Sequence, residues 1–574
     1  MHALLILLLP GLLSLWRALA SPLVDFQVAQ PLTLPQDAKQ CTVAILQRTF
    51  ASSYGSPEVV QYTPPTDCGP AGSWAGISLN FTVTSNGTQY DRLGIFTFDN
   101  VEIWRTSTPE PTRGDGIVWT ALKDVTRFTP LFAKAGTFVL ELDNIVETGL
   151  DGEYATTLHA TFYQSSAKHP PGQHADLIIP VTTLAADSGD VASVPSAFSL
   201  NVTFPRNAAA IYAEIIPSGN GQEEFWSMNV PNEYFGALPS GATYGDGPFR
   251  ETRLFVDGLL AGVVFPYLVV FTGGIAPTLW RPIAAYAALD LPAYNIDLTP
   301  FVPMLSDGKP HNITLDIVSA EGDHAINQNW YVTASLHVVL DPSNKATTGA
   351  MTVYSAPLYA STSTTGKING PGDVDFTVRA SRNIHIEAEV VTGSGKSTYV
   401  VWTQSLSYEN TQTYRQSASV QTLYQIAQGN MSSTHNGAEA IVDDFSFPFT
   451  MDFTYTDANW TTWITSVDHS YTRDLLSAPF MTRTNIQERQ QANAFFELAP
   501  TGNFGNGTSS NTFSYSDAKG NTYTRTAASV NSTIVSDHEG GTLAAASPRP
   551  ASSPADSDTQ TGFARPRLPG RSAR

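Results

Sequence analysis

Three short segments place ionisable side chains where they could do acid–base work. Asp91 stands between Tyr90 and Arg92 at the entrance to an apolar run that includes Leu93 and Ile95. Glu223 and Glu224 follow Gly219 and Gly221 and lead into Phe225 and Trp226. Trp280, Arg281 and Pro282 follow Gly273 and Gly274. Two carboxylates can divide acid and base roles when their surroundings separate their pKa values. A neighbouring Trp supplies an apolar wall that raises a carboxyl pKa. An Arg fork grips a carboxylate or carbonyl, and a Trp face can stack on a sugar. Each segment also has a plainer reading. An Asp at a strand entrance is ordinarily a turn-former. Adjacent acids on a strand point to opposite faces, so one can enter a cleft while the other is solvated. Arg281 could be half of a buried structural ion pair.

Other chemistries lack their motifs. Gly393-Ser394-Gly395-Lys396-Ser397 imitates the end of a phosphate-binding loop, but the first glycine of that motif would fall on Val390. A hairpin turn is the better account. The chain has no His-Glu-x-x-His, no His/Cys cluster at zinc spacing and no Gly-x-Ser-x-Gly elbow. No metal and no cofactor is expected.

Composition sets the compartment and the partners. Residues 4–13 are apolar apart from Pro10 and Gly11, and Ala18-Leu19-Ala20 precedes Ser21. This reads as a secretory leader over residues 1–20, too short to span a bilayer. Eight sequons, at Asn80, Asn86, Asn201, Asn312, Asn430, Asn459, Asn506 and Asn531, fit a glycosylated extracellular or vacuolar protein. The 2 cysteines, Cys41 and Cys68, are expected to form one disulfide in that oxidising setting. A net charge of -20 argues against a nucleic-acid partner, which needs a basic face.

The elements that must position these groups are strands. Only 14% of residues are charged, and Thr, Ser, Val, Tyr and Phe are abundant among 42 Gly and 38 Pro. Period-two alternation recurs at Phe138, Leu140 and Leu142, at Ile313, Leu315 and Ile317, at Val332, Ala334, Leu336 and Val338, and at Phe449, Met451, Phe453 and Tyr455. That pattern predicts an all-β chain of antiparallel sandwiches. Residues 254–271 imitate a membrane span, but Asp257, Gly258, Gly262 and Pro266 turn the stretch into two buried strands about a turn. Composition shifts predict a first β-sandwich domain over 21–170, a second over 171–345, a C-terminal β-rich domain over 346–536 and a disordered tail over 537–574.

The order of motifs resembles the peptide-N-glycosidase A family. The resemblance rests on Tyr90-Asp91-Arg92, on Arg105-Thr106-Ser107-Thr108-Pro109-Glu110-Pro111-Thr112, and on Trp119 with Lys123-Asp124-Val125-Thr126. It continues through Glu224-Phe225-Trp226, Asn229-Val230-Pro231-Asn232-Glu233-Tyr234, Val256-Asp257-Gly258, Gly273-Gly274-Ile275, Trp280-Arg281-Pro282, Asp297-Leu298-Thr299-Pro300-Phe301 and Asn329-Trp330. It covers roughly residues 30–535. A more distant likeness is to a bacterial peptide-N-glycosidase of two jelly-roll domains, whose catalytic Asp lies in a Trp-Asp-Arg triplet and whose Glu lies in an Ala-Glu-Trp context.

The resemblance implies two jelly-roll-like sandwiches side by side, with Asp91 on one side of a cleft and Glu224 and Arg281 on the other. It implies a glycoamidase that hydrolyses the amide between an N-glycan and asparagine in glycopeptides or glycoproteins, with Asp91, Glu224 and Arg281 catalytic. Arg92, Trp226, Trp280 and, more loosely, Asp143 upstream of Gly152-Glu153-Tyr154 are expected to hold substrate. Arg105 to Thr112 and Lys123 to Thr126 are expected to fix strand ends and turns, for their prolines and small hydroxyls suit caps and corners. Two other readings stay open: a non-catalytic glycan-binding protein of the same fold, and a carboxylate-pair glycoside hydrolase.

Overall fold

The computed structural model describes residues 21–185, 188–189, 191–477, 479–499 and 502–544. The leader at 1–20 and residues 545–574 of the expected tail lie outside the described residues. The regular structure of the described residues is almost entirely strand. Alternation is the reason: Ile77, Leu79, Phe81 and Val83 of the Gly76–Asn86 strand are buried, and so are Phe138, Leu140 and Leu142 of Gly136–Leu142. Removing such a side chain from water contributes about 1.5–3 kcal/mol.

The first sandwich opposes a six-stranded sheet to a four-stranded one. The larger runs Ile283–Ala284, Leu23–Gln27, Ile117–Asp124, Gly76–Asn86, Glu153–Tyr163, Gln40–Phe50 in spatial order. The smaller runs Glu58–Tyr62, Gly136–Leu142, Leu93–Phe98, Val101–Ser107. Cys41 and Cys68 form the expected disulfide at its edge. In the second sandwich, a sheet built on Ala208–Asn220 and Asn329–Leu340 faces one that contains Phe198–Thr203, Pro310–Val318, Glu251–Val256 and Leu259–Val264. The last two are the expected hairpin, turning at Asp257 and Gly258, both with positive φ.

The chain then lays down one 11-stranded sheet, from Thr348–Ser355 to Thr533–Gly540. Gly393 to Ser397 forms the hairpin turn between two of its 19-residue strands. Its last strand corrects the expected tail: residues 533–540 pair with Thr522–Val530, so order extends past 536. This edge strand is held by backbone hydrogen bonds and has little apolar alternation to reveal it. No described helix is long and apolar enough to cross a membrane.

Two contacts place the site. The sandwiches are locked together by buried charge: Arg105, fully buried, pairs with Glu102 (2.6 Å) and donates to Ser218 Oγ and the Tyr331 carbonyl, both at 2.9 Å. Arg127–Glu214 and Lys123–Asp290, each at 2.6 Å, cross the same seam. The 11-stranded sheet shares one hydrophobic core with the second sandwich. Its side chains also hold the irregular segment 265–293: Trp463 Nε1 donates to the Ile275 carbonyl, Gln490 Nε2 to Ile283 and Ser529 Oγ to Arg281. Buried backbone without a ladder needs such partners.

Candidate active site

Asp91 sits on a loop clamped from both sides. Gln89 Oε1 accepts the Tyr90 N–H (3.0 Å) and Arg92 Nη2 (2.7 Å). Tyr154 donates its hydroxyl to the Tyr90 carbonyl at 2.7 Å, and Arg92 N–H donates to Thr108 Oγ1 at 2.8 Å. Asp91 is left half-buried, with Oδ2 accepting the Gly273 N–H at 3.1 Å. One carboxylate from the first sandwich thus meets a glycine turn of the second.

A further acid stands behind it. Glu110 lies between Pro109 and Pro111, just past the Val101–Ser107 strand, and is 2% exposed. The flanking prolines keep this stretch extended and out of any ladder. Arg281, 4% exposed, donates Nη2 to the Glu110 carbonyl at 3.0 Å and approaches its Oε2 only to 3.8 Å. That Oε2 has no hydrogen-bond partner. Gly273 is confined by the pair: a Cβ there would collide with Glu110 Oε1 and press on Asp91 Oδ1 at 3.2 Å. Burial pushes the Glu110 carboxyl well above the usual carboxylate range. The Asp91 charge, and more weakly that of Glu224, push the same way, while Arg281 and the Asp91 backbone N–H pull back. Two neighbouring carboxylates disfavour each other's charge, and deeper burial favours the proton on Glu110.

Glu224 completes the group from the second sandwich. It closes a single 3₁₀ turn, Gly221–Glu223, with its N–H donating to the Gly221 carbonyl at 3.2 Å. It is half-buried, and with Phe225 and Phe271 it lines a small pocket. The structure therefore assembles Asp91, Glu110, Glu224 and Arg281 from four separate stretches of chain.

Comparison with known proteins places the chain in a family. Residues 31–357 match the family described as Peptide N-acetyl-beta-D-glucosaminyl asparaginase amidase A, and residues 375–449 match its C-terminal domain. The chain belongs to the peptide-N-glycosidase A family. It is 36% identical over 397 residues to the Prunus dulcis peptide-N4-(N-acetyl-beta-glucosaminyl)asparagine amidase A, a match spanning 66% of this chain and 66% of that protein. A solved peptide-N(4)-(N-acetyl-beta-D-glucosaminyl) asparagine amidase aligns at a TM-score of 0.35 with 14% identity, covering 53% of this chain and 97% of that one. The structure of PNGF-II aligns at the same TM-score and identity, over 65% of its length.

Not every residue expected to serve the peptide-N-glycosidase A site reaches it. Trp226 is 3% exposed, packed on Trp330 and Tyr408, and Trp280 is 1% exposed, with Nε1 donating to the Gly274 carbonyl at 2.8 Å. Neither has a face free for a sugar; both are apolar bodies that the core claims. Asp143 accepts the Gly55 N–H at 2.9 Å and anchors a loop, and burial raises its carboxyl. Arg92 is spent on Gln89 and on Asn144 Oδ1 (3.2 Å), with its guanidinium 5.8 Å from the Tyr90 ring. It braces Asp91. Glu223 is not the solvated twin of Glu224 but a wholly buried partner of Arg250.

Sequence reasoning passed over Glu110, reading its prolines as a corner, and Gly273, whose missing side chain makes room for both acids. A signal for Glu110 was present: an acid between two prolines, inside a block that carries the family resemblance, is disfavoured in the interior of a ladder or a helix.

Proposed function

We propose that this protein is a glycoamidase that hydrolyses the β-aspartylglucosaminyl amide of N-glycosylated peptides and proteins. The observation that carries the reading is the half-buried Asp91 set beside the buried Glu110, whose carboxyl is raised by burial and by the Asp91 charge, with Arg281 and Glu224 close to the same pair. Membership of the peptide-N-glycosidase A family and the likeness to the almond amidase support it. The disulfide suits a secreted or vacuolar location.

In this mechanism Asp91 is the general base. Water attacks the amide carbon and gives a proton to Asp91; Glu224 orients that water. The Arg281 charge lowers the cost of negative charge developing on the amide oxygen. The C–N bond then breaks as its nitrogen takes the proton from Asp91. One asparagine becomes aspartate and the glycan leaves as a glycosylamine. Glu110 keeps its own proton throughout, so that Asp91 is the ionised member of the pair. It is a positioning residue, acting through Asp91.

The test is Asp91→Asn with a denatured glycopeptide, read by mass spectrometry of the peptide product. Wild type should convert the glycosylated asparagine to aspartate. The variant should keep its fold and lose release by about 10²–10⁴-fold, the range of a general base. Release near the wild-type rate would remove Asp91 from the mechanism. A sugar retained on asparagine would make the protein a glycoside hydrolase.

A further inference from the structure

One buried acid, Asp25, lies within reach of the Arg281 charge and is not used by the mechanism above. Asp25 lies on the Leu23–Gln27 strand, which bridges the two sandwiches. On one side this strand pairs in parallel with Ile117–Asp124, with Asp25 opposite Trp119. On the other it pairs with Ile283–Ala284, with Phe26 opposite Ile283. The Phe26 N–H donates to the Pro282 carbonyl at 2.9 Å, so Asp25 adjoins the bond that anchors the residue following Arg281. Asp25 is 1% exposed, and neither carboxyl oxygen has a hydrogen-bond partner; the neighbouring Trp119 Nε1 has none either. A bare carboxylate in such a place loses far more hydration than it regains, so the acid is carried neutral. Burial pushes it up to about 8, with the Arg281 charge pulling it down.

The other charges nearby are committed elsewhere. Arg525 lies 4.4 Å over the ring of Phe26, on the opposite face of the strand, and is paired with Asp537 and Glu539. On Ile117–Asp124, Lys123 binds Asp290 and Asp124 caps Thr126. Ile283 and Ala284 bring no charge.

We propose that Asp25 is a positioning residue for Arg281: as a neutral acid it leaves the guanidinium charge to Glu110 and Asp91, and once ionised it draws that charge away from them. The proposal rests on the glycoamidase reading for its consequence, which is an alkaline limit on glycan release. The sign follows from burial. The folded chain holds a proton that an ordinary Asp, at 3.8, has lost, so protonation of Asp25 persists to about pH 8 and its ionisation sets in above that.

The experiment compares full-length wild type with Asp25→Asn, each pH profile of kcat normalised to its own maximum. The alkaline limb should move up by about one pH unit or more, with little change in the profile of KM. Superimposable alkaline limbs would overturn the proposal. Asp25→Ser, smaller and also uncharged, replaces Asn should that variant not fold. Infrared titration supplies a readout that needs no turnover. The protonated-carboxyl band that the Asp25 variant lacks should persist to higher pH in Arg281→Met than in the parent; an unmoved band would also overturn it. A wild type that releases no glycan would sink the glycoamidase reading and leave the infrared titration to decide Asp25.

Discussion

Glu223 and Glu110 are both enclosed, at 0% and 2% exposure, and both face an arginine, yet the structure treats them in opposite ways. Glu223 receives Arg250 Nε (2.5 Å) and Nη2 (2.7 Å), Trp330 Nε1 (2.7 Å) and the Asn327 N–H (2.9 Å). Burial works against its charge, but Arg250 and these donors outweigh it and hold the carboxyl down to about 2. Glu110 is denied such a set. Its arginine bonds the backbone carbonyl instead, Oε2 has no partner, and a second carboxylate stands in front of it. Burial alone therefore does not decide whether an acid is charged; the completeness of its donors does. A scaffold pair is finished, whereas the Glu110 carboxyl, raised by burial and by the Asp91 charge, is left without a full set of donors.

Removing each arginine separates the two roles. Arg250→Met strands a buried carboxylate, and unfolding in urea should show a loss of about 3–5 kcal/mol. Arg281→Met should cost much less stability but lower kcat by about 10²–10³-fold, as for a lost electrostatic stabiliser of the transition state. Equal stability losses in the two variants would erase the distinction.

The pH dependence of stability sharpens it, because the signs are opposite. Glu223 is depressed from 4.5 to about 2, so its contribution is present above pH 4.5 and lost as pH falls toward 2. The linkage is worth about 3 kcal/mol. Glu223→Gln should therefore flatten the acid limb of stability. Glu110 is raised, so the folded state holds a proton that the unfolded chain has lost above about 4.5, and stability falls as pH rises through that window. Glu110→Gln should gain stability at neutral pH relative to wild type, while glycan release falls. Chemical denaturation at about pH 3, 5 and 7, values that straddle the ordinary Glu value of 4.5, reads both slopes. A loss of neutral-pH stability in Glu110→Gln would show that its carboxyl is ionised after all.

The same contrast explains what could be read from the sequence. Period-two runs such as Phe138, Leu140 and Leu142 became core faces because alternation is a local property of a strand. Asp257-Gly258 became a hairpin turn, and the 2 cysteines left a single pairing. Asp91, Glu224 and Arg281 were candidates by residue type and were selected by the family resemblance, but their meeting depends on a seam made by Arg105, Arg127 and Lys123, whose partners across it lie far away in sequence. Adjacent acids on a strand would take opposite faces; Glu223 and Glu224 instead end a 3₁₀ turn, and Arg250 claims the first. Trp226 and Trp280 were misplaced because an indole suits a sugar and a core equally well, and only packing decides.

The smallest effect expected concerns the third sheet, which holds the arginine side of the site from behind. Asp91 and Glu110 ride on short loops closed by their own sandwich, through Gln89, Tyr154 and Thr108. Arg281 rides on a long irregular segment whose backbone is bonded by side chains of the 11-stranded sheet, among them Ser529 Oγ to the Arg281 carbonyl at 3.3 Å. Ser529→Ala removes that single neutral bond and should cost about 1 kcal/mol. The site consequence is more specific than the stability cost. A looser Arg281 should lower kcat a fewfold and leave KM unchanged, whereas Thr108→Val, on the Asp91 side, should act on the loop that carries the base. Additive losses in the double variant are expected if the two sides are held independently. Strong non-additivity would show instead that the third sheet and the first sandwich set one common geometry.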